Sequence, residues 1–248
     1  MLRLNKKYLS LLFVPLVFIF SGCGEDLFET DEDSHATPAP YADTAAPTGT
    51  ITINSGASPN ITNITSVTLN ISATDYTGVS QMCVSDSISC TAWETVTTST
   101  TFTTSKAWTL PTGDATKTVY VWFKDTLGNA NATPYSGTIT LDTTAPTDGT
   151  LTATASVGSI TLTWPVFLDT GSGIKNYTLV YNIGGSAPAD CAAGTAVANL
   201  TADTTFSGGT YTFVHSAGLT SGTTTYYRLC ATDWAGNRSA GAITQATP

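Results

Sequence analysis

Three aspartates near the ends of predicted strands are the residues whose type and position best suit chemistry. Asp75 and Asp125 each precede a glycine-containing turn, and Asp142 lies in the joint between two predicted domains. If all three converged at one end of the first domain, their carboxylates and nearby backbone carbonyls would suit Ca²⁺. The alternative is structural, because Asp-x-x-Gly-Asn, as at 125–129, is a favourable turn in which Asp accepts backbone hydrogen bonds. Calcium is therefore the one cofactor left open, and no other is expected.

Groups suited to catalysis are sparse. The chain has two histidines, of which His35 lies in an acidic segment and His215 closes a predicted strand. The sequence has no Gly-x-Ser-x-Gly nucleophile turn, and the Gly-Ser-Gly segment at 171–173 lacks the helix and Lys that would cradle phosphate. Because a catalytic centre needs a titratable group with a partner and a pocket, we predict that the protein is not an enzyme.

The start of the sequence has the layout of a secretory signal. Arg3, Lys6 and Lys7 precede an apolar run at 9–20, which is shorter than the ~20 residues of a membrane span. The run ends in Phe-Ser-Gly-Cys, which resembles a bacterial lipobox. The resemblance implies cleavage after residue 22, acylation of Cys23 and anchoring in the bacterial cell envelope, at the outer membrane if the host is Gram-negative. The alternative is a plain secretory signal in which Cys23 is incidental.

The other four cysteines form two groups along the chain. Exported proteins normally oxidise such cysteines, so we predict two disulfides, Cys83–Cys90 and Cys191–Cys230. A four-thiolate zinc site is the competing interpretation. Its ligands normally come in pairs two to four residues apart, whereas six and thirty-eight residues intervene here.

Charge excludes one class of partner and predicts a spacer. Removing residues 1–22 takes away three of nine basic residues and none of eighteen acidic ones, so the net charge goes from −9 to −12. A protein this acidic repels phosphate backbones, so no nucleic-acid partner is expected. Seven acidic residues lie between Glu25 and Asp43 with no Lys or Arg, followed by Pro, Ala and Thr. This composition predicts a disordered stalk at 23–46.

Beyond residue 46 the sequence predicts an all-β fold. Short segments alternate apolar and polar residues with period two, and Gly, Asn, Asp and Pro separate them at short intervals, which is typical of β-sandwiches. The clearest alternating segments are 50–53, 67–71, 119–123, 160–164, 177–181 and 227–231. Three motifs also repeat at offsets near 100 residues: 46–50 at 145–150, 75–79 at 169–174, and 125–129 at 233–237. Two tandem sandwich domains are therefore predicted.

The second copy, residues 144–248, resembles the fibronectin type III family. The resemblance rests on the segments 161–164, 177–181, 218–223 and 227–231. It implies that Trp164 packs between the two sheets. One departure is Thr225, which stands where the family has its corner tyrosine. If Tyr227 and its period-two neighbours face the core, Cys230 faces outward, and its bridge to Cys191 ties down the loop at 184–194.

The first copy, residues 47–143, resembles a bacterial immunoglobulin-like domain through segments 69–75, 119–125 and 141–146. Together the two resemblances imply a non-enzymatic, lipid-anchored envelope protein that serves as a structural or adhesive binding module. Its expected partners are the membrane and a protein or polysaccharide ligand. The alternative is a glycan-binding accessory protein, because Trp93, Trp108 and Trp234 lie near predicted turns and sugar rings stack on exposed aromatic faces.

Overall fold

The computed structural model describes residues 42–56, 59–197, 200 and 205–248, and within them the fold is all-β. The predicted signal, Cys23 and the stalk up to residue 41 lie outside the described residues. None of the helical segments among the described residues combines the length and the apolarity that a membrane crossing requires.

The first sandwich is a six-stranded sheet that closes over its own core. Its strands are β1 (Thr48–Ile53), β2 (Ile61–Thr62), β3 (Ser66–Ser85), β4 (Glu94–Thr109), β5 (Ala115–Asp125) and β6 (Tyr135–Leu141). Strand β3 changes partners along its length: residues 69–74 pair with β1, whereas residues 79–85 pair with β5. The register of β3 against β4 shifts between these halves, where Gly78 has a φ of +96°, so one long strand contributes to both layers.

The apolar side chains of both layers meet in one cluster. Leu69 and Ile71 on β3 pack with Val121 and Phe123 on β5, and each is at most 2% exposed. These residues are two apart on their strands, so the predicted period-two alternation places them on one face. The apolar positions of the predicted alternation at 67–71 and 119–123 therefore face the core.

The second sandwich consists of two four-stranded sheets. Its strands are β7 (Thr152–Ser156), β8 (Ser159–Pro165), β9 (Ile174–Ile183), β10 (Thr195–Ala196), β11 (Thr205–Ser207), β12 (Thr210–His215), β13 (Thr225–Asp233) and β14 (Ala242–Ala246). One sheet has the order β11-β12-β8-β7 and the other β10-β9-β13-β14. This arrangement, with neighbouring strands antiparallel, is that of a β-sandwich.

One face of β13 contributes to the core, and the opposite face carries the cysteine of the Cys191–Cys230 bridge. Tyr227, Leu229 and Ala231 are fully buried in the core that also contains Trp164. Cys230 points to the opposite face. The predicted core position of Trp164 and the outward direction of Cys230 are both confirmed.

Both predicted cysteine pairs lie at bonding distance. Cys83–Cys90 closes a short loop after β3, and Cys191–Cys230 joins the loop after β9 to β13. On the outer face of β13, Arg228 donates from Nε to the Pro188 carbonyl at 2.7 Å. The loop at 184–194 is thus held by a covalent bond and a charged hydrogen bond.

Candidate functional site: two aspartate clusters

The structure collects six aspartates into two groups of three. Asp43, Asp75 and Asp125 form the first aspartate cluster, and Asp142, Asp169 and Asp233 form the second. In each cluster, one carboxylate oxygen from each residue lies within 4.8 Å of the other two.

The prediction that Asp142 converges with Asp75 and Asp125 is wrong. Asp125 ends β5, whereas Asp142 follows β6, and these strands are antiparallel with Ala115 paired to Leu141. The exits of two adjacent antiparallel strands lie at opposite ends of a sheet. Ten residues of β5 separate the two positions, roughly 33 Å at 3.3 Å per residue.

Asp125 is the buried member of the first cluster, at 2% exposure. Its Oδ1 accepts hydrogen bonds from the Leu127 and Asn129 amides at 2.9 and 2.8 Å, and its Oδ2 accepts one from Asn129 Nδ2 at 2.6 Å. Burial raises the pKa of this carboxyl, but the hydrogen bonds from Asn129, Leu127 and Thr77 outweigh it and leave the pKa below its ordinary value. Asp125 is therefore ionised at neutral pH.

The other two members of the first cluster come from separate segments. Asp75 lies in β3, and its Oδ1 accepts hydrogen bonds from the Thr77 and Gly78 amides at 2.9 and 3.0 Å. Asp43 precedes β1, and its Oδ1 accepts one from the Ala45 amide at 2.9 Å. The predicted stalk at 23–46 includes Asp43, whereas the structure places this residue against the first sandwich.

Asp142 belongs to the second cluster and lies in the joint between the sandwiches. It is fully buried; its Oδ1 accepts a hydrogen bond from the Thr144 amide at 3.2 Å and its Oδ2 one from the Ser172 amide at 2.6 Å. Gly171 passes so close that a Cβ there would overlap the Asp142 carboxylate. An aspartate that follows the last strand of the first sandwich is thus seated in a loop of the second.

The remaining two carboxylates belong to the second sandwich. Asp233 ends β13, is fully buried, and accepts hydrogen bonds on Oδ1 from the Gly236 and Asn237 amides at 2.6 and 2.8 Å. Its Oδ2 accepts one from Asn237 Nδ2 at 2.7 Å. Asp169 lies in the loop before β9, where its Oδ2 accepts the Gly173 amide.

The two clusters are built by equivalent parts of the two copies. Each cluster has a leading aspartate, Asp43 or Asp142, which precedes the first strand of the sandwich. An asparagine four residues after the strand-ending aspartate donates to the backbone carbonyl of the leading one. Asn129 Nδ2 donates to Asp43 at 3.0 Å, and Asn237 Nδ2 donates to Asp142 at 2.8 Å. Asp43, Asp169 and Asp233 are not among the calcium ligands predicted from the sequence. The signal was present in the repeat, because an offset of 99 residues relates Asp142 to Asp43.

Three carboxylates held this close repel one another. Two unit charges 4.8 Å apart repel by about 3.5 kcal/mol at an effective dielectric constant of about 20, the value typical near a protein surface. The oxygens Asp43 Oδ2 and Asp169 Oδ1 are moreover buried and accept no hydrogen bond. A set of hard oxygen donors with uncompensated negative charge is the ligand environment that Ca²⁺ takes, so these residues fit such an ion.

The other residues considered for chemistry lie elsewhere. His215 is 5% exposed, and its Nδ1 lies 2.8 Å from the Tyr227 hydroxyl, so it is a core residue at the end of β12. Trp93 lies beneath Lys124, with the ammonium 4.1 Å from the ring, and Trp108 donates from Nε1 to Asp86. Trp234, in contrast, is 46% exposed.

No family model and no curated protein matches this chain. Similar solved structures include the fibronectin(III)-like modules of Clostridium thermocellum CbhA, at 13% identity and a TM-score of 0.38, covering 79% of this chain and 92% of that one. Another is the purple acid phosphatase PPD1 isolated from yellow lupin (Lupinus luteus) seeds, at 13% identity and a TM-score of 0.25, covering 81% of this chain and 41% of that one. Likeness at this level carries no argument about function.

Proposed function

We propose that this chain is a non-enzymatic lipoprotein of the bacterial cell envelope that acts as a structural or adhesive binding module. In this proposal acylated Cys23 supplies the membrane anchor, since two or more acyl chains hold stably where one is marginal. The acidic stalk provides distance from the membrane. An immunoglobulin-like and a fibronectin type III-like sandwich then present a surface to a protein or polysaccharide ligand.

The observation that supports this role is the hydrogen-bonded joint between the sandwiches. From the first sandwich, Asp114 accepts hydrogen bonds from the Thr143 amide at 2.9 Å and the Thr144 hydroxyl at 2.5 Å. From the second, Asn237 Nδ2 donates to the carbonyls of Asp142 and Thr144 at 2.8 and 3.3 Å. A linker held from both sides suits a spacer that must project a binding surface in a fixed direction.

A glycan-binding role is the second candidate, and Trp234 is the residue that favours it. Its indole is 46% exposed beside Lys175, whose ammonium lies 5.6 Å from the ring. An exposed indole with a neighbouring cation offers a stacking face and a polar group to a sugar. Quenching of tryptophan fluorescence by polysaccharide, lost in Trp234→Ala and retained in Trp108→Phe, is the result that this role predicts.

Protease shaving of intact cells tests the main proposal. Antibodies against the two sandwiches follow their loss from intact cells, and lysed cells serve as the control. Loss of signal before lysis is expected for an adhesive module, whereas protection until lysis would leave an envelope scaffold facing inward. Replacement Cys23→Ala is expected to move the protein from the membrane fraction to the soluble fraction, and continued membrane retention would contradict the lipid anchor.

A further inference from the structure

Each aspartate cluster contains a buried oxygen without a partner. Asp43 Oδ2 in the first cluster and Asp169 Oδ1 in the second have essentially no solvent contact and accept no hydrogen bond. A buried carboxylate oxygen normally finds a donor, because leaving it unpaired is unfavourable. Both clusters therefore lack a donor for one buried carboxylate oxygen.

The neighbouring lysines do not supply the missing positive charge. Lys124 adjoins Asp125 in sequence, yet its ammonium lies over the Trp93 ring. Lys175 lies near the second cluster in sequence, and its ammonium points to Trp234. Within the part of the chain that the structure describes, the one ion pair is Lys106–Glu94, so all six cluster carboxylates lack a basic partner.

We infer that each aspartate cluster binds one divalent cation of the calcium class. The donors are carboxylate oxygens, without sulfur or imidazole among them, which favours a hard cation over zinc or copper. Hydrogen bonds from backbone amides hold the carboxylates in place, and the two oxygens that accept none, Asp43 Oδ2 and Asp169 Oδ1, keep their lone pairs for a metal. Water and backbone carbonyls supply the remaining ligands of a shell of six to eight oxygens.

Binding at the second cluster has a mechanical consequence. Asp142 follows the last strand of the first sandwich, whereas Asp169 and Asp233 belong to two loops of the second. A cation that draws these carboxylates together links the joint to the second sandwich. The site therefore couples cation concentration to the stiffness of the joint.

Calorimetric titration of CaCl₂ into the EDTA-treated full-length chain in mild detergent tests this inference. We expect two ions per chain, one for each cluster, with dissociation constants roughly in the 10⁻⁴ to 10⁻³ M range of extracellular modules. Asp43→Asn and Asp169→Asn each keep the side-chain shape but remove one charge, so each is expected to bind one ion. Asp114→Asn is the matched control, because Asp114 contacts the joint but belongs to neither cluster, and it is expected to bind two.

Melting temperatures distinguish a cation site from a purely structural turn. In EDTA, Asp169→Asn is expected to melt at or above the temperature of the unaltered chain, because one of three repelling charges is gone. In CaCl₂ the same variant is expected to lose part of the calcium-induced rise. A variant that melts lower in both buffers, unaltered stoichiometry in both cluster variants, or no heat and no melting shift at millimolar CaCl₂ would each overturn the inference.

Discussion

The two disulfides are expected to stabilise the protein unequally. Cys191 and Cys230 are 39 residues apart, whereas Cys83 and Cys90 are 7 apart. On the chain-entropy account, closing loops of these lengths lowers the entropy of the unfolded chain by amounts worth about 4 and about 2.5 kcal/mol at 25 °C. Cys191 and Cys230 are also packed with Val180 in a small buried cluster, so replacing them loses apolar contacts in addition.

The test compares two double variants, Cys191→Ala with Cys230→Ala and Cys83→Ala with Cys90→Ala. Urea unfolding under non-oxidising, non-reducing conditions, followed by circular dichroism, measures the free energy of unfolding. We expect the first pair to lose about 1.5 kcal/mol more than the second. Hydrogen exchange is expected to place that loss in β13, which contains Cys230, and in its neighbour β9. Equal losses, or a larger loss from the Cys83–Cys90 variant, would refute the reasoning.

Three further predictions concern the buried histidine, the joint and the core. Burial lowers the pKa of His215 below its ordinary 6.5, so on acidification the unfolded chain binds a proton before the folded one. The free energy of unfolding is therefore expected to fall as the pH drops below about 6.5. In His215→Asn the melting temperature is expected to depend less on pH over this range. Asn237→Ala removes two hydrogen bonds to the joint, so small-angle scattering is expected to show a broader distribution of dimensions. No such broadening is expected in the control Asn70→Ala, whose contacts lie within the first sandwich. Leu162→Ala in the core of the second sandwich is expected to lower the free energy of unfolding by about 2–5 kcal/mol in urea titration, and a loss below 1 kcal/mol would contradict its core position.

Period-two patterns made the fold predictable. The run from Tyr227 to Ala231 alternates on β13, and this alternation alone placed the core on one face and Cys230 on the other. What the pattern could not predict was that β3 and β4 run without interruption through both layers. Thr- and Ser-rich segments have weak apolar alternation, and the change of partner at Gly78 depends on contacts with β5 that are remote in sequence.

The aspartate clusters were only partly predictable for a different reason. Asp142 belongs to the first copy by sequence, which predicts a position near Asp75 and Asp125, yet its side chain accepts a hydrogen bond from the second copy. Asp43 could not be recognised as a cluster residue from its sequence context, because it is the last of seven acidic residues in a segment whose composition predicts a stalk. In both cases the position of the aspartate along the chain did not indicate which residues it contacts, because each cluster forms between segments that are distant in sequence.

Equivalent contacts at the two clusters redefine the structural repeat. A boundary drawn at the first strand separates each leading aspartate from the sandwich that holds it. Asn129 and Asn237 hold the backbone of Asp43 and Asp142, while the side chains of these aspartates enter the clusters of the following sandwich. Each repeat therefore begins at its leading aspartate, and each sandwich fixes the segment that enters it. A contact equivalent to the one at the joint thus also holds the chain where it enters the first sandwich at Asp43.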